Sequence, residues 1–144
     1  MGTQTQKEVK HAWHFDQSPK EVWEYLTKPE LLEQWLMKTN FQPIVGHKFH
    51  FMGGCNHEDK VAAHCEVLEV KPYSQLSYSW QANSVKDNKP FTSKVVWTIV
   101  PKENGTELQL VHNGFIVLED AILHNDGWTR IGNKMVDFFN AVKI

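Results

Sequence analysis

The stretch His124 to Phe139, HNDGWTRIGNKMVDFF, decides how this chain is read. In it and just beyond, Trp128, Ile131, Met135, Phe138 and Val142 recur at steps of three and four, the period of one face of a helix. Gly127 stands beside the tryptophan, inside or at the mouth of that helix, where glycine costs about 1 kcal/mol relative to alanine. A glycine kept at that cost implies that the helix approaches something closely there, or bends over it. What it covers is read from the residues before it.

Upstream, the chain alternates in the manner of short strands, near 46–52, 59–70, 75–81, 91–100 and 106–113, separated by turn residues. Leu108, Leu110 and His112 share one parity, so the histidine points with the leucines. Leu76, Tyr78 and Trp80 share a face of one strand, and Val95, Trp97 and Ile99 share a face of the next. Asn104-Gly105, in PKENGT, marks a tight hairpin with residues that accept positive φ. Consecutive hairpins make an antiparallel meander. A further strand, Val9 to Phe15, stands at the start, with Val9, His11, Trp13 and Phe15 on one face. Ser18, Pro19 and Glu21 then supply an N-cap, a first-turn proline and the glutamate of a capping box. Thr27, Pro29 and Glu30 repeat the device, so a first helix ends near Lys28 and a second begins. The order is strand, two short helices, five strands and one long helix. It predicts an α+β fold in which a curved six-stranded antiparallel sheet wraps around the C-terminal helix.

At 144 residues the chain fits one domain, 1–144. Its 15 basic and 17 acidic residues are scattered and give a formal charge of -2, with no electrostatic footprint for nucleic acid or an acidic membrane. No segment approaches the length of a membrane span, and the N-terminal MGTQTQKEVK lacks an apolar run, which reads as a cytoplasmic protein. Cys55 and Cys65 make no disulfide framework. Six tryptophans, eight phenylalanines and eight histidines leave two arrangements open: a core built of rings, or rings lining a hollow.

Five segments in order, FDQSPKEVWEYLTKPELLEQWL, VGHKFHF, EVLEVKPYSQLSYSW, HNGF and GWTRIGNKMVDFF, resemble the activator-of-heat-shock-protein-90-ATPase homologue domains, a branch of the START-like superfamily. The resemblance spans nearly the whole chain. It implies a helix-grip fold, a long C-terminal helix held by a curved antiparallel sheet, often with an apolar cavity between them. In the eukaryotic co-chaperone such a domain follows a separate N-terminal domain that contacts the chaperone, for which 144 residues leave no room. Stand-alone bacterial members look more like small-molecule binders.

With that resemblance, the hollow is the expected arrangement. Trp128, Ile131 and Met135 of the long helix would line it, with Trp35 of the second short helix. Phe51, Tyr78, Trp80, Trp97, Leu110 and His112 would line it from the strands, His112 as the inward polar group. The alternative for His112 is a solid core and a bond to a backbone group. The cluster CNHEDKVAAHC offers Cys55, His57, His64 and Cys65 to zinc, but His64 and Cys65 are strand neighbours that point to opposite faces. No metal and no cofactor are expected, and Cys65 reads as a small buried apolar residue. Glu119 and Asp120 are adjacent carboxylates placed just ahead of the helix, and their charge favours its N-terminus. The expected function is non-enzymatic binding of a hydrophobic, ring-containing small molecule by a monomer or homodimer. A chaperone partner, with a role in stress response, is the alternative the resemblance implies. A third is a cyclase-like enzyme with His112 and Tyr78 as acid and base.

Overall fold

The computed structural model describes residues 7–52 and 61–142. Strand β1 (Val9–Phe15) leads into helices α1 (Pro19–Thr27) and α2 (Pro29–Trp35). Strands β2 (Lys38–Thr39), β3 (Lys48–Met52), β4 (Val61–Lys71), β5 (Gln75–Asn83), β6 (Pro90–Lys102) and β7 (Gly105–Asn113) follow, and helix α3 (Leu118–Val142) ends the chain. All the strands form one antiparallel sheet in the order β1-β7-β6-β5-β4-β3-β2. The first strand thus pairs with the last, from Val9 opposite His112 to Phe15 opposite Thr106.

The sheet has seven strands rather than six. The additional one, β2, is two residues long and pairs Lys38 with Met52 and Thr39 with Phe51. Two residues carry no readable period, so only the neighbouring edge defines them. Register shifts at Phe51/Met52 and between Val67 and Glu69 bend β3, β4 and β5, as extra residues in a ladder do. The resulting concave face carries the predicted parities: Leu76, Tyr78 and Trp80, then Val95, Trp97 and Ile99, then Leu108, Leu110 and His112 are all buried. Cys65 is buried on the same face, while its neighbour His64 is exposed.

Local signals behave unevenly. Ser18 caps α1 with the full reciprocal box: its Oγ accepts from Glu21 N at 3.2 Å, and its own N–H reaches Glu21 Oε1 at 3.0 Å. Thr27 does not cap α2. It is the last residue of α1 and donates its hydroxyl to the Trp23 carbonyl at 2.8 Å; Lys28 takes the cap position without a side-chain bond. Having its own helical turn to bond, the hydroxyl turns back rather than forward. Pro29 still opens α2, its missing N–H being one the helix end could not use. At the β6–β7 hairpin the turn falls on Glu103 and Asn104, and Gly105 alone takes positive φ (141°), against the Phe15 carbonyl of β1. A side chain there would collide with that strand.

Helix α3 begins at Leu118, so Glu119 and Asp120 lie in its first turn and Gly127 falls mid-helix. Asp120 is buried: its carboxylate accepts from Ser84 Oγ at 2.6 Å and from Val85 N at 2.8 Å, which pins the β5–β6 loop to the helix start. The far end of α3 is packed solidly. Phe139 lies against Phe15, Tyr25 and Trp35, and Gln17 donates from Nε2 to the Phe139 carbonyl at 2.7 Å. Phe139, not Phe138, takes the fully buried position; Phe138 is half-buried beside Tyr25. A strict three-four alternation averages 3.5 residues and drifts by about 20° per heptad from a straight helix, so one step falls behind the true face.

Candidate functional site

Two histidines tie the N-terminal half of α3 to the sheet. His112 of β7 is fully buried between Trp128 of α3 and Ser93 of β6. An indole nitrogen can only donate, so Trp128 Nε1, 2.9 Å from His112 Nδ1, requires Nδ1 to be unprotonated. The hydrogen then sits on Nε2 and is donated to Ser93 Oγ at 2.7 Å, and Ser93 donates its own to the Trp80 carbonyl at 3.1 Å. Every donor in this chain has an acceptor. Burial, with a smaller push from His124, lowers the His112 pKa to about 2.

His124 repeats the arrangement one turn ahead of Trp128. Its Nδ1 donates to the Asp120 carbonyl at 2.9 Å, and its Nε2 accepts from Trp80 Nε1 at 3.3 Å. Burial lowers its pKa, against the opposing pull of the Asp120 carbonyl and carboxylate. Trp80 therefore joins both histidines, by its indole to His124 and by its carbonyl, through Ser93, to His112. Tyr78 lies deeper. Its hydroxyl accepts from Trp97 Nε1 at 2.9 Å, and burial holds its pKa well above the usual phenol range. Among the described residues no buried side-chain nitrogen or oxygen lacks a hydrogen-bond partner.

Beside this network is a cavity of about 390 Å³ between α3, the α2–β2 connection and the β4–β5 part of the sheet. Leu36 and Met37 form one wall, Ala62 and Trp80 the sheet side, and His124, Trp128 and Ile131 the helix side. Leu123, Gly127, Arg130 and Lys134 complete it on α3. Its size and its mostly apolar walls suit a small molecule.

Of the residues expected to line a hollow, Trp80, Trp128 and Ile131 stand on this wall. Trp35, Phe51, Tyr78, Trp97, Leu110, His112 and Met135 lie buried behind it, packed ring on ring. His112 supports the wall by holding Trp128. Neither a carbonyl nor an amide of the backbone is its partner; two side chains are. Sequence reasoning missed Leu36, Met37, His124, Arg130 and Lys134. His124 was within reach, being four residues before Trp128 and so on the same helical face.

Gly127 does not serve close approach. A Cβ added there would meet nothing nearer than Arg130 Nη2 at 4.0 Å. The crowded glycine is Gly132, whose Cβ would stand 2.7 to 3.0 Å from three atoms of the Trp13 ring. Strand β1 crosses under α3 at that point, which no pattern in the helix itself reveals. As for metal, no group of three His, Cys, Asp or Glu side chains suited to an ion occurs among the described residues. Cys55 and His57 lie outside them.

A curved antiparallel sheet gripping a long C-terminal helix, with a cavity between them, defines the START-like helix-grip class. The chain belongs to the Activator of Hsp90 ATPase homolog 1-like family, whose model matches residues 16–140. Protein MLL2253 from Mesorhizobium loti superposes with a TM-score of 0.84 at 29% identity, covering 95% of this chain and 99% of that one. CalU16 from Micromonospora echinospora has a TM-score of 0.75 at 22% identity, covering 92% and 75%, and shares the fold. The Aha1 dimer from Colwellia psychrerythraea shares it too, with a TM-score of 0.73 at 16% identity, covering 95% and 96%. No curated protein matches the chain. The family goes with a ligand-binding or polyketide-cyclase-like fold. No helix among the described residues is long and apolar enough to cross a membrane.

Proposed function

We propose that this protein binds a hydrophobic, ring-containing small molecule in the cavity between α3 and the sheet, without chemically changing it. The observation that carries the reading is the cavity itself, about 390 Å³ with Leu36, Met37, Trp80, Trp128 and Ile131 on its walls. Two indoles, Trp80 and Trp128, stand on those walls, and aromatic side chains pair favourably with a ring. The non-enzymatic part is supported by the commitment of each candidate proton carrier. Both nitrogens of His112 and of His124 are engaged within the protein, and the Tyr78 hydroxyl is buried against Trp97. A general base needs a free lone pair within reach of substrate. Trp128 and Trp80 instead hold the histidine lone pairs.

The test is fluorescence titration with the neutral probe phenylnaphthylamine. Binding to the wild type and its loss in Ala62→Phe, which adds a ring to the sheet-side wall, is the expected result. Equal binding by both proteins would overturn the reading. The family's name points to the other possibility, a chaperone-associated protein acting as monomer or homodimer. Retention on an immobilised heat-shock protein 90 homologue, with no probe binding, would favour that one.

A further inference from the structure

The charged members of the cavity's described lining are Arg130 and Lys134; neither Asp nor Glu is among them. The two cations are four residues apart on α3, hence on the same face, an arrangement that repels in the empty protein. Among the described residues no carboxylate lies within ion-pair distance of them. Asp126 stands one turn before Arg130 and Asp137 just under one turn after Lys134, yet the ion pairs among the described residues are Lys10–Glu8, Lys28–Glu24, Lys71–Glu69 and Lys102–Glu107. Arg130 also leans the right way. Helical side chains slope toward the N-terminus, and its Nη2 reaches back to within 4.0 Å of where a Cβ on Gly127 would be. The glycine therefore leaves room for a guanidinium at the cavity mouth.

We infer that the ligand is amphipathic, with an acidic head group such as a carboxylate or sulfonate held by Arg130 and Lys134 and an apolar ring system inside. This rests on the cavity reading above. A planar guanidinium gives two parallel donors to such an anion, and the lysine adds a point charge one turn further along. The pair relieves its own repulsion by binding an anion. The apolar wall then selects anions that carry a hydrophobic body.

Two probes sharing one ring frame separate the two claims: anilinonaphthalene sulfonate, which carries the anion, and phenylnaphthylamine, which lacks it. The wild type should bind the anionic probe more tightly, with a preference that shrinks as salt is added. Arg130→Gln combined with Lys134→Gln should weaken the anionic probe about tenfold and leave the neutral one within about twofold. Both positions are exposed, and glutamine is a good helix former, so the fold survives. Removing two cations elsewhere, by Lys20→Gln with Lys94→Gln, should change neither affinity. The inference is overturned if the wild type has no anion preference, or if the cavity-mouth variant loses both probes equally or loses neither. Those results leave the cavity reading standing as long as the neutral probe binds and Ala62→Phe blocks it. A wild type that binds neither probe overturns both.

Discussion

The two halves of α3 differ in what lies beneath them, and its two glycines show the difference. Over the C-terminal half the sheet and the short helices come close. Trp13 presses on Gly132, and Phe139 is enclosed by Phe15, Tyr25 and Trp35. Over the N-terminal half the helix stands off, propped by Trp128 on His112 and by His124 on Trp80, and a cavity remains. One glycine has no room for a methyl group; the other has room to spare. A single helical face therefore packs solidly at one end and borders a cavity at the other. The hydrogen-bonded indoles keep the second end from collapsing onto the sheet, since closing the gap would break bonds that burial makes expensive to lose.

The largest effect expected is at the packed end. Phe139→Ala should lower stability by about 3–5 kcal/mol in urea unfolding, as deleting a buried aromatic does, and leave affinity for the neutral probe unchanged. Trp128→Ala should lose both stability and probe binding. If Phe139→Ala abolished probe binding while the protein remained folded, the two halves would not be independent. Next comes Gly132→Ala, in which the methyl group must displace a ring of β1, an overpacking of about 1–3 kcal/mol, reduced by the better helix propensity of alanine. Unchanged or increased stability would show that β1 yields easily.

Acid tests the propped end. Unfolded His112 takes up a proton near its ordinary pKa of 6.5, whereas the folded residue resists until about 2. Protons therefore favour the unfolded chain in this window. The stabilisation is complete above pH 6.5 and drains as pH falls toward about 2, with about 1 kcal/mol gone by about pH 5.5. The depressed pKa of His124 acts in the same direction. In His112→Phe, the slope of unfolding free energy against pH over this range should flatten; an unchanged slope would mean that His112 is not held neutral. The smallest effect is at Gly127. Gly127→Ala should gain up to about 1 kcal/mol from helix propensity alone, and Gly127→Leu, which projects into the cavity mouth, should weaken the neutral probe. Destabilisation by the alanine would show that the helix needs that glycine for its path.

By itself the sequence determined whatever depends on neighbours along the chain. The capping box at Ser18 and Glu21, the proline at the start of α2, the alternation of β5, β6 and β7 and the helical period around Trp128 and Met135 were all legible, because dihedral preference and side-chain direction repeat locally. The inward turn of His112 followed from parity alone. Tertiary structure decided what depends on the distance between elements. Whether Trp128 faces a ring or a void, whether Gly127 or Gly132 is crowded, and whether Arg130 overhangs a cavity are set by how far α3 stands from the sheet. Periodicity fixes which way a side chain points and says nothing of the gap in front of it. That gap is set by the bends in β3 and β4, by the pairing of β1 with β7 beneath Gly132, and by two tryptophan–histidine bonds joining residues 16 and 44 positions apart.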